Sequence, residues 1–180
     1  MKSLLTKRFI MRSDIKSFYG RKILVDSNAF IYFLTGQSPL IKEIFRASVD
    51  RKLKLLITVR ILDEVIFKMC LLLARARFGF EKNTLKKLKN NPSLIIELSK
   101  DCRKIIEMCE DFRFSIFDFT FKDLQKLPDT MHDYRLIGND ALIVGFMQKM
   151  NLKYLLSADK DFDAVPWIKR IDPLDKEVVL

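Results

Sequence analysis

The sequence predicts an α/β fold with a central parallel sheet, because two kinds of apolar pattern alternate along it. Five short, branched apolar runs have the composition of buried strands. They lie at 22–25, 55–59, 114–119, 154–156 and 167–171. Four longer segments carry apolar residues every three or four positions, as amphipathic helices do. They lie at 39–51, 61–77, 92–111 and 139–150. Strands that alternate with helices form a parallel sheet through right-handed crossovers.

Length and composition indicate one domain with an anionic partner. The chain has 180 residues, 49% of them hydrophobic, which is enough for one core. No apolar run approaches the ~18 residues of a membrane span, so we expect a cytoplasmic protein that does not bind membranes. The net charge of +10 favours nucleic acid or another polyanion, although a basic surface without a partner would look the same. The chain has three cysteines without a C-x-x-C motif and a single histidine, so we do not expect a zinc site.

Two regions lie outside the simple strand and helix alternation. Residues 1–20 form a basic N-terminal extension, and residues 21–180 form the domain. Within the domain, residues 79–133 are long for a single crossover, and we interpret them as an extra helical elaboration. The stretch 82–91 is rich in Lys and Asn and is typical of a solvated surface segment.

Four acidic residues fall where a strand ends or a helix begins. They are Asp26 after the first strand, Glu64 in the first turn after the second, Asp140 at the start of helix 139–150 and Asp159 after strand 154–156. The carboxyl ends of parallel strands meet at one edge of a sheet, so these side chains should converge there. Each one alone could be an ordinary acid at a helix N-terminus. Together they would repel and take up protons unless a cation neutralised them.

The cation predicted for this cluster is Mg²⁺ or Mn²⁺, because only oxygen ligands are available. In a basic protein, such a site suits phosphodiester cleavage: the metal activates a water and stabilises charge on the departing oxygen, while basic residues hold the backbone. Ser27 or Asn28 would steady Asp26. The run from Asp159 to Asp163 begins like a calcium-binding loop, but the required Gly and Glu are replaced by Ala164 and Arg170.

The motifs around these acids resemble those of PIN-domain nucleases, the metal-dependent family that includes the VapC toxins of toxin–antitoxin pairs. The matching stretches are ILVDSNAFIYFL, ITVRILDEVIFKM and IGNDALIVGFMQKMNLKYLLSADKDFD, within residues 22–77 and 136–172. The resemblance implies a three-layer α/β/α fold with strand order 3-2-1-4-5 and a ribonuclease activity that uses one or two Mg²⁺ or Mn²⁺ ions. It also implies RNA as substrate, an antitoxin protein as possible partner and a possible homodimer.

Carried over to this chain, the resemblance implies roles for individual residues. The metal-holding catalytic set would be Asp26, Glu64, Asp140 and Asp159. Asp161 or Asp163 would serve as an additional acid. Ser157 matches the small hydroxyl residue before the last acid, and Asn139 would support the site beside Asp140. Asp63 reads as a solvated helix residue next to Glu64.

Two alternatives to the ribonuclease stay open from the sequence. One is a non-catalytic PIN-like module that binds RNA or protein, and the other is a phosphatase on a related sheet, although Asn28 stands where such enzymes carry a second acid. The nucleic-acid surface is also open. Arg75, Arg77 and Lys82 alternate with phenylalanines and could line an RNA groove, or they could belong to a solvated helix end whose phenylalanines face the core.

Overall fold

The middle layer of the computed structural model is a five-stranded parallel sheet. The structure describes residues 12–174, and their side chains from residue 15 onward. The strands are β1 (Lys22–Val25), β2 (Lys54–Thr58), β3 (Ser115–Phe117), β4 (Tyr154–Leu156) and β5 (Lys169–Ile171). Their order is β3-β2-β1-β4-β5, and every neighbouring pair is parallel. The predicted order 3-2-1-4-5 is therefore confirmed.

Helices cover the two faces of the sheet and give the predicted three layers. They are α1 (Ser27–Leu34), α2 (Pro39–Val49), α3 (Val59–Phe78), α4 (Thr84–Lys89), α5 (Pro92–Asp111), α6 (Phe121–Gln125), α7 (Leu127–Tyr134) and α8 (Asn139–Lys149). One group contains α1 to α5, in which α3 contacts α1, α4 and α5, and the other contains α6, α7 and α8. Right-handed crossovers account for this division, since the chain moves one way from β1 to β3 and returns across the sheet to β4.

Aromatic side chains fill the core on both faces of the sheet. On the first face, Phe45 is fully buried and packs against Phe30 and Phe114, with ring centroids 5.7 and 5.2 Å away. On the other face, Phe146 of α8 packs against Phe117, with ring centroids 5.6 Å apart. The central strand β1 is buried from Ile23 to Val25, which fixes the point at which it emerges from the core.

Several boundaries differ from those that the sequence predicted. Val59 begins α3 rather than ending a strand, because the Thr58 hydroxyl accepts a hydrogen bond from the N–H of Ile61 and caps the helix. The segment predicted to be solvated surface contains α4, which buries Leu88. Residues 79–133 contain helices as expected, and β3 lies inside the strand predicted at 114–119 but is shorter than it.

The N-terminal extension is described only from residue 12. There a 3₁₀ helix, Arg12–Phe18, places Ile15 and Phe18 in the core, and Phe18 meets Tyr154 edge to face at 5.7 Å. The rest of the predicted extension lies outside the described residues. Of the helices that the structure does describe, none is long and apolar enough to cross a bilayer.

Candidate metal centre

The site begins where β1 and β4 end side by side. Val25 is paired with Leu156 in the register of these strands, and the N–H of Asp26 donates to the carbonyl of Leu156 at 3.0 Å. The next residues on the two strands, Asp26 and Ser157, therefore leave the sheet together. This register explains why a sequence that drops from apolar to polar residues at both places builds a single site.

Asp26 is only 5% exposed, and its carboxylate accepts hydrogen bonds from three donors. Its Oδ1 accepts from the N–H of Ser27 at 2.6 Å, and its Oδ2 accepts from Asn28 Nδ2 at 2.7 Å and from Ser157 Oγ at 2.6 Å. Burial raises the pKa of the Asp26 carboxyl, although the hydrogen bonds from Ser157 and Ser27 act to lower it. The carboxylate is thus fixed in direction, and the positive charge of Lys68 offsets its burial only in part.

Asn28 and Ser157 connect the ends of the two strands around Asp26. The Asn28 Nδ2 also lies 3.2 Å from Ser157 Oγ, and its Oδ1 accepts a hydrogen bond from the N–H of Ala158 at 2.9 Å. Ser157 Oγ in turn accepts from the N–H of Asp159 at 3.0 Å. Asn28 and Ser157 thus both contact the Asp26 carboxylate, and Ser157 also contacts the backbone of Asp159.

Glu64 reaches the same site from the second turn of α3, one turn later than the sequence predicted. Its Oε1 accepts from Ser27 Oγ at 3.0 Å, and its Oε2 accepts from Asn139 Nδ2 at 3.0 Å. Lys68, four residues further along α3, forms an ion pair with Glu64 Oε1 at 2.5 Å. Glu64 therefore links the ends of β1, α3 and α8, and Lys68 supplies the positive charge beside it. Its neighbour Asp63 is exposed and pairs with Arg60 instead.

Asp140 is the most electrostatically strained of the four predicted acids. Burial raises its pKa to about 6, and the charges of Asp159, Asp26, Asp161 and Glu64 add to the effect. No described residue donates a hydrogen bond that offsets it. Gly138 makes this position possible, because the chain enters α8 there with φ 59° and ψ −117°, a combination that glycine alone adopts easily.

The three aspartates after β4 have different surroundings. Asp159 caps the 3₁₀ helix Lys160–Ala164 and accepts from the N–H of Asp161 at 2.9 Å, and both act on Asp140 through their charges. Asp163 turns away and forms a two-pronged ion pair with Arg170 at 2.8 and 3.0 Å. The structure therefore groups Asp159 and Asp161 with the other acids and places Asp163 in a separate contact.

The chemistry of the described side chains fits a hard divalent cation. Four carboxylates meet at one edge of the sheet, two of them have a raised pKa, and a cation would favour the ionised form of each. The Oδ1 of Asn139 is buried there without a hydrogen-bond partner, which leaves one more oxygen for an ion or a water. Within residues 15–174, no three acidic, His or Cys side chains are already arranged as a coordination shell.

Sequence reasoning missed Lys68, although its spacing from Glu64 is the usual one for an ion pair on a helix. It also grouped Arg77 with the RNA-facing residues. The Arg77 guanidinium is engaged by Asp101 at 2.6 and 3.1 Å, which lowers the pKa of that carboxyl. Arg75 and Lys82 remain exposed, and the neighbouring phenylalanines, Phe78 and Phe80, pack against a small buried cluster.

Comparison with known proteins places this fold in a family. A model of the PIN domain matches residues 23–168. One similar solved structure is VapBC2 from Rickettsia felis bound to a DNA fragment from their promoter, with a TM-score of 0.55 and 14% identity over 83% of this chain and 97% of that chain. Another is DNA-bound VapBC from Salmonella typhimurium, with a TM-score of 0.52 and 16% identity over 84% and 98%. At such identities these two structures establish the fold alone.

Curated protein sequences gave no match to this chain. The family model nevertheless covers well over half of the 180 residues and includes all four predicted acids. The sequence resemblance to PIN domains is thereby confirmed, and the chain belongs to the PIN-domain family of nucleases.

Proposed function

We propose that this protein is a Mg²⁺- or Mn²⁺-dependent endoribonuclease whose metal is held by Asp26, Glu64, Asp140 and Asp159, with Asp161 beside them. The observation that carries the proposal is the crowding around Asp140. Asp140 is a half-buried carboxyl with a pKa of about 6, it lies among four other acids, and no described residue donates a hydrogen bond to it. Its charge therefore destabilises the folded protein as long as no cation is bound. Such a cluster is expected where the native ligand is a cation.

The ion would supply the chemistry of the reaction, namely activation of a water and stabilisation of negative charge on the phosphodiester. The protein's own residues would orient the ligands. Asn28 and Ser157 hold the Asp26 carboxylate through Oδ2, so the direction of this ligand is set before metal binds. Asn139 holds Glu64 Oε2, and its own Oδ1 is free for a further contact at the site.

Lys68 is proposed to balance the charge of Glu64 while the site is without metal. The pair is formed within one helix and is partly exposed, so it contributes only about 0.3–0.5 kcal/mol. This small stabilisation makes the pair easy to break when a divalent ion approaches Glu64. The ammonium group would then be available to a phosphate at the edge of the site.

The substrate class is proposed from charge and the family. A net charge of +10 gives the surface a general attraction for a polyanion, while the acidic centre is confined to one edge of the sheet. The two similar structures are VapBC complexes, and we extend from them the proposal that this chain is a toxin that binds an antitoxin protein. A homodimer and a cytoplasmic location belong to the same proposal.

The test is cleavage of labelled single-stranded and structured RNAs by purified protein with Mn²⁺, with Mg²⁺ and with EDTA. Asp140→Asn should reduce the rate on the order of a hundredfold or more, because it removes a ligand without removing a described hydrogen bond. Asp129→Asn is the matched control, since Asp129 also lies in the first turn of a helix but is exposed on α7. Its rate should equal that of the unaltered protein.

Four results would contradict the proposal. Cleavage that continues in EDTA, or that survives in Asp140→Asn, would remove the metal model. RNA binding without cleavage under any metal would favour the non-catalytic binding module. Turnover of a small phosphate ester with no cleavage of RNA would favour the phosphatase.

A further inference from the structure

One face of α3 leads from the metal centre to a second, positively charged region. Glu64, Lys68, Leu71 and Arg75 follow at intervals of four, three and four residues, so they lie in one stripe along the helix. Lys68 and Arg75 are exposed. At ~1.5 Å per residue, Arg75 lies about 16 Å from Glu64 along the helix axis.

The stripe ends in an open groove between α3 and α4. The groove has a volume of about 600 Å³, and its lining includes Leu71 and Arg75 of α3 with Lys86, Lys89 and Asn90 of α4 and its C-terminus. No acidic residue lines it. The lining offers three cations, two amides and a threonine hydroxyl beside two leucines, which is a composition suited to a phosphate backbone with attached bases.

The cations that line the groove differ from Arg77 nearby, because no carboxylate of the described residues forms an ion pair with them. Within the described part of the chain, neither Lys86 nor Lys89 forms an ion pair, and the Arg75 Nε lies 3.4 Å from the hydroxyl of Thr84 rather than beside a carboxylate. Arg77, two residues from Arg75, is instead neutralised by Asp101. Among the described residues, the basic groups that line the groove thus carry positive charge that no ion pair balances, in contrast to Arg77.

An exposed aromatic ring lies beside the path between the two regions. Phe67 is 48% exposed and occupies the position three residues after Glu64 and four before Leu71. A phenylalanine exposed to this degree loses part of the benefit of burial. A nucleobase stacked on it would recover contact area without base specificity.

We propose that single-stranded RNA runs from the metal centre along this face of α3 into the groove, where Arg75, Lys86 and Lys89 hold its phosphates. The distance from Glu64 to Arg75 corresponds to about five nucleotides of a stacked strand at ~3.4 Å each. The inference rests on the proposed nuclease function and adds where its substrate binds. The α4 segment, which the sequence marked only as solvated surface, becomes a substrate-binding element.

The experiment compares binding of a fluorescent 12-nucleotide RNA and a 3-nucleotide RNA in EDTA by anisotropy over a range of salt concentrations. The variant R75A/K86A/K89A should bind the long RNA about tenfold or more weakly, and its log–log salt slope should fall by about 2. It should also lose most of the advantage of the long RNA over the short one. K86A/K89A, which leaves the Arg75–Thr84 contact intact, should show the same trend with a smaller loss.

The matched control is K42A/R46A/K153A, which removes the same charge from exposed positions outside α3 and α4. Its long-RNA affinity should stay well above that of R75A/K86A/K89A. Equal losses in the two triple variants, or no loss in the first, would overturn the groove as a binding site. Poly-glutamate serves as a probe for an acidic protein partner. If R75A/K86A/K89A loses binding to poly-glutamate while its RNA binding is unchanged, the groove binds an acidic protein and the proposed RNA path is overturned. Circular dichroism must show that each variant is folded.

Cleavage of the same 12-nucleotide RNA by the unaltered protein in Mn²⁺ separates the two proposals. If the RNA is bound through the groove but not cut, the nuclease function fails and the binding path stands. If it is cut equally well by R75A/K86A/K89A at RNA concentrations below saturation, the nuclease function stands and the path fails.

Discussion

Replacing Asp140 with Asn should stabilise the metal-free protein above about pH 6. The Asp140 carboxyl is partly buried, and four other acids act on it. Its pKa in the folded protein is about 6, compared with 3.8 for an ordinary aspartate. The folded state therefore opposes ionisation, and an uncharged amide of the same shape removes that penalty.

The sign follows from proton binding. Below pH 3.8 Asp140 is protonated in both the folded and the unfolded chain, so its ionisation does not change the free energy of unfolding. As the pH rises from 3.8 to about 6, the unfolded chain ionises first, so the folded protein loses stability, and above that range the loss is complete. The full difference corresponds to at most about 3 kcal/mol, and partial exposure reduces it to about 1–2 kcal/mol.

The assay is thermal and denaturant unfolding of both proteins in EDTA at pH 4 and pH 7.5. For a domain of this size, 1–2 kcal/mol corresponds to an increase in Tm of about 3–6 °C at pH 7.5, and the difference should nearly vanish at pH 4. Saturating Mn²⁺ should reverse the order, because the unaltered protein gains binding energy that Asp140→Asn lacks; at a hundred times Kd the gain is about 2.7 kcal/mol.

Asp129→Asn again serves as the control, since Asp129 lies in the first turn of α7 outside the cluster. It should leave stability unchanged or lower it by about 0.3–1 kcal/mol through the helix dipole. If Asp140→Asn behaves in the same way, Asp140 is an ordinary N-terminal helix acid. In that case the charge crowding that carries the metal model would be refuted.

Three further predictions concern Lys68, the cysteines and the core. Lys68→Met should tighten Mn²⁺ binding about two- to fivefold in calorimetry, because the ammonium no longer competes for Glu64; equal or weaker binding would contradict this. Cys70 and Cys102 have Sγ atoms 3.2 Å apart, so hydrogen peroxide should join them, with loss of 2 Da and release of water, and raise stability by about 3 kcal/mol or less; two thiols that stay free would contradict this. Phe45→Ala should cost about 3–5 kcal/mol in urea unfolding, and a loss under 1 kcal/mol would mean that the ring cluster is loosely packed.

Much of the fold could be predicted from the sequence because parallel strands buried on both faces are nearly uninterrupted apolar runs. The run Ile23–Val25 is such a case, and all three residues are fully buried. Strand ends were harder to predict. Val59 has high strand propensity, but the hydroxyl of the preceding Thr58 starts a helix there. The α4 helix was missed because it buries only Thr84 and Leu88. Two buried residues among many lysines do not produce the apolar repeat of three to four residues by which a helix is recognised.

The candidate site divides into contacts that chain position determines and contacts that tertiary packing determines. Asp26 and Ser157 could be placed from sequence, because each follows a strand and the strands are neighbours. The partner of Asp163 could not, since Arg170 reaches it only after β5 has joined the sheet. In the same way, Arg77 looked available until α5 brought Asp101 beside it. Charged side chains near a site thus need their partners identified before a role is assigned.

The four predicted ligands are not equivalent, and the difference has a consequence for mutagenesis. Asp26 accepts three short hydrogen bonds, of which the one from Ser157 connects the ends of β1 and β4. Asp26→Asn would set an amide N–H₂ against the Asn28 and Ser157 donors. Loss of activity in that variant would mix catalysis with local rearrangement. Asp140 accepts no such hydrogen bonds from the described residues. Burial and the neighbouring negative charges raise its pKa, so its ionised form is the one that the cluster destabilises. The substitution that separates metal binding from folding in this protein is therefore at Asp140.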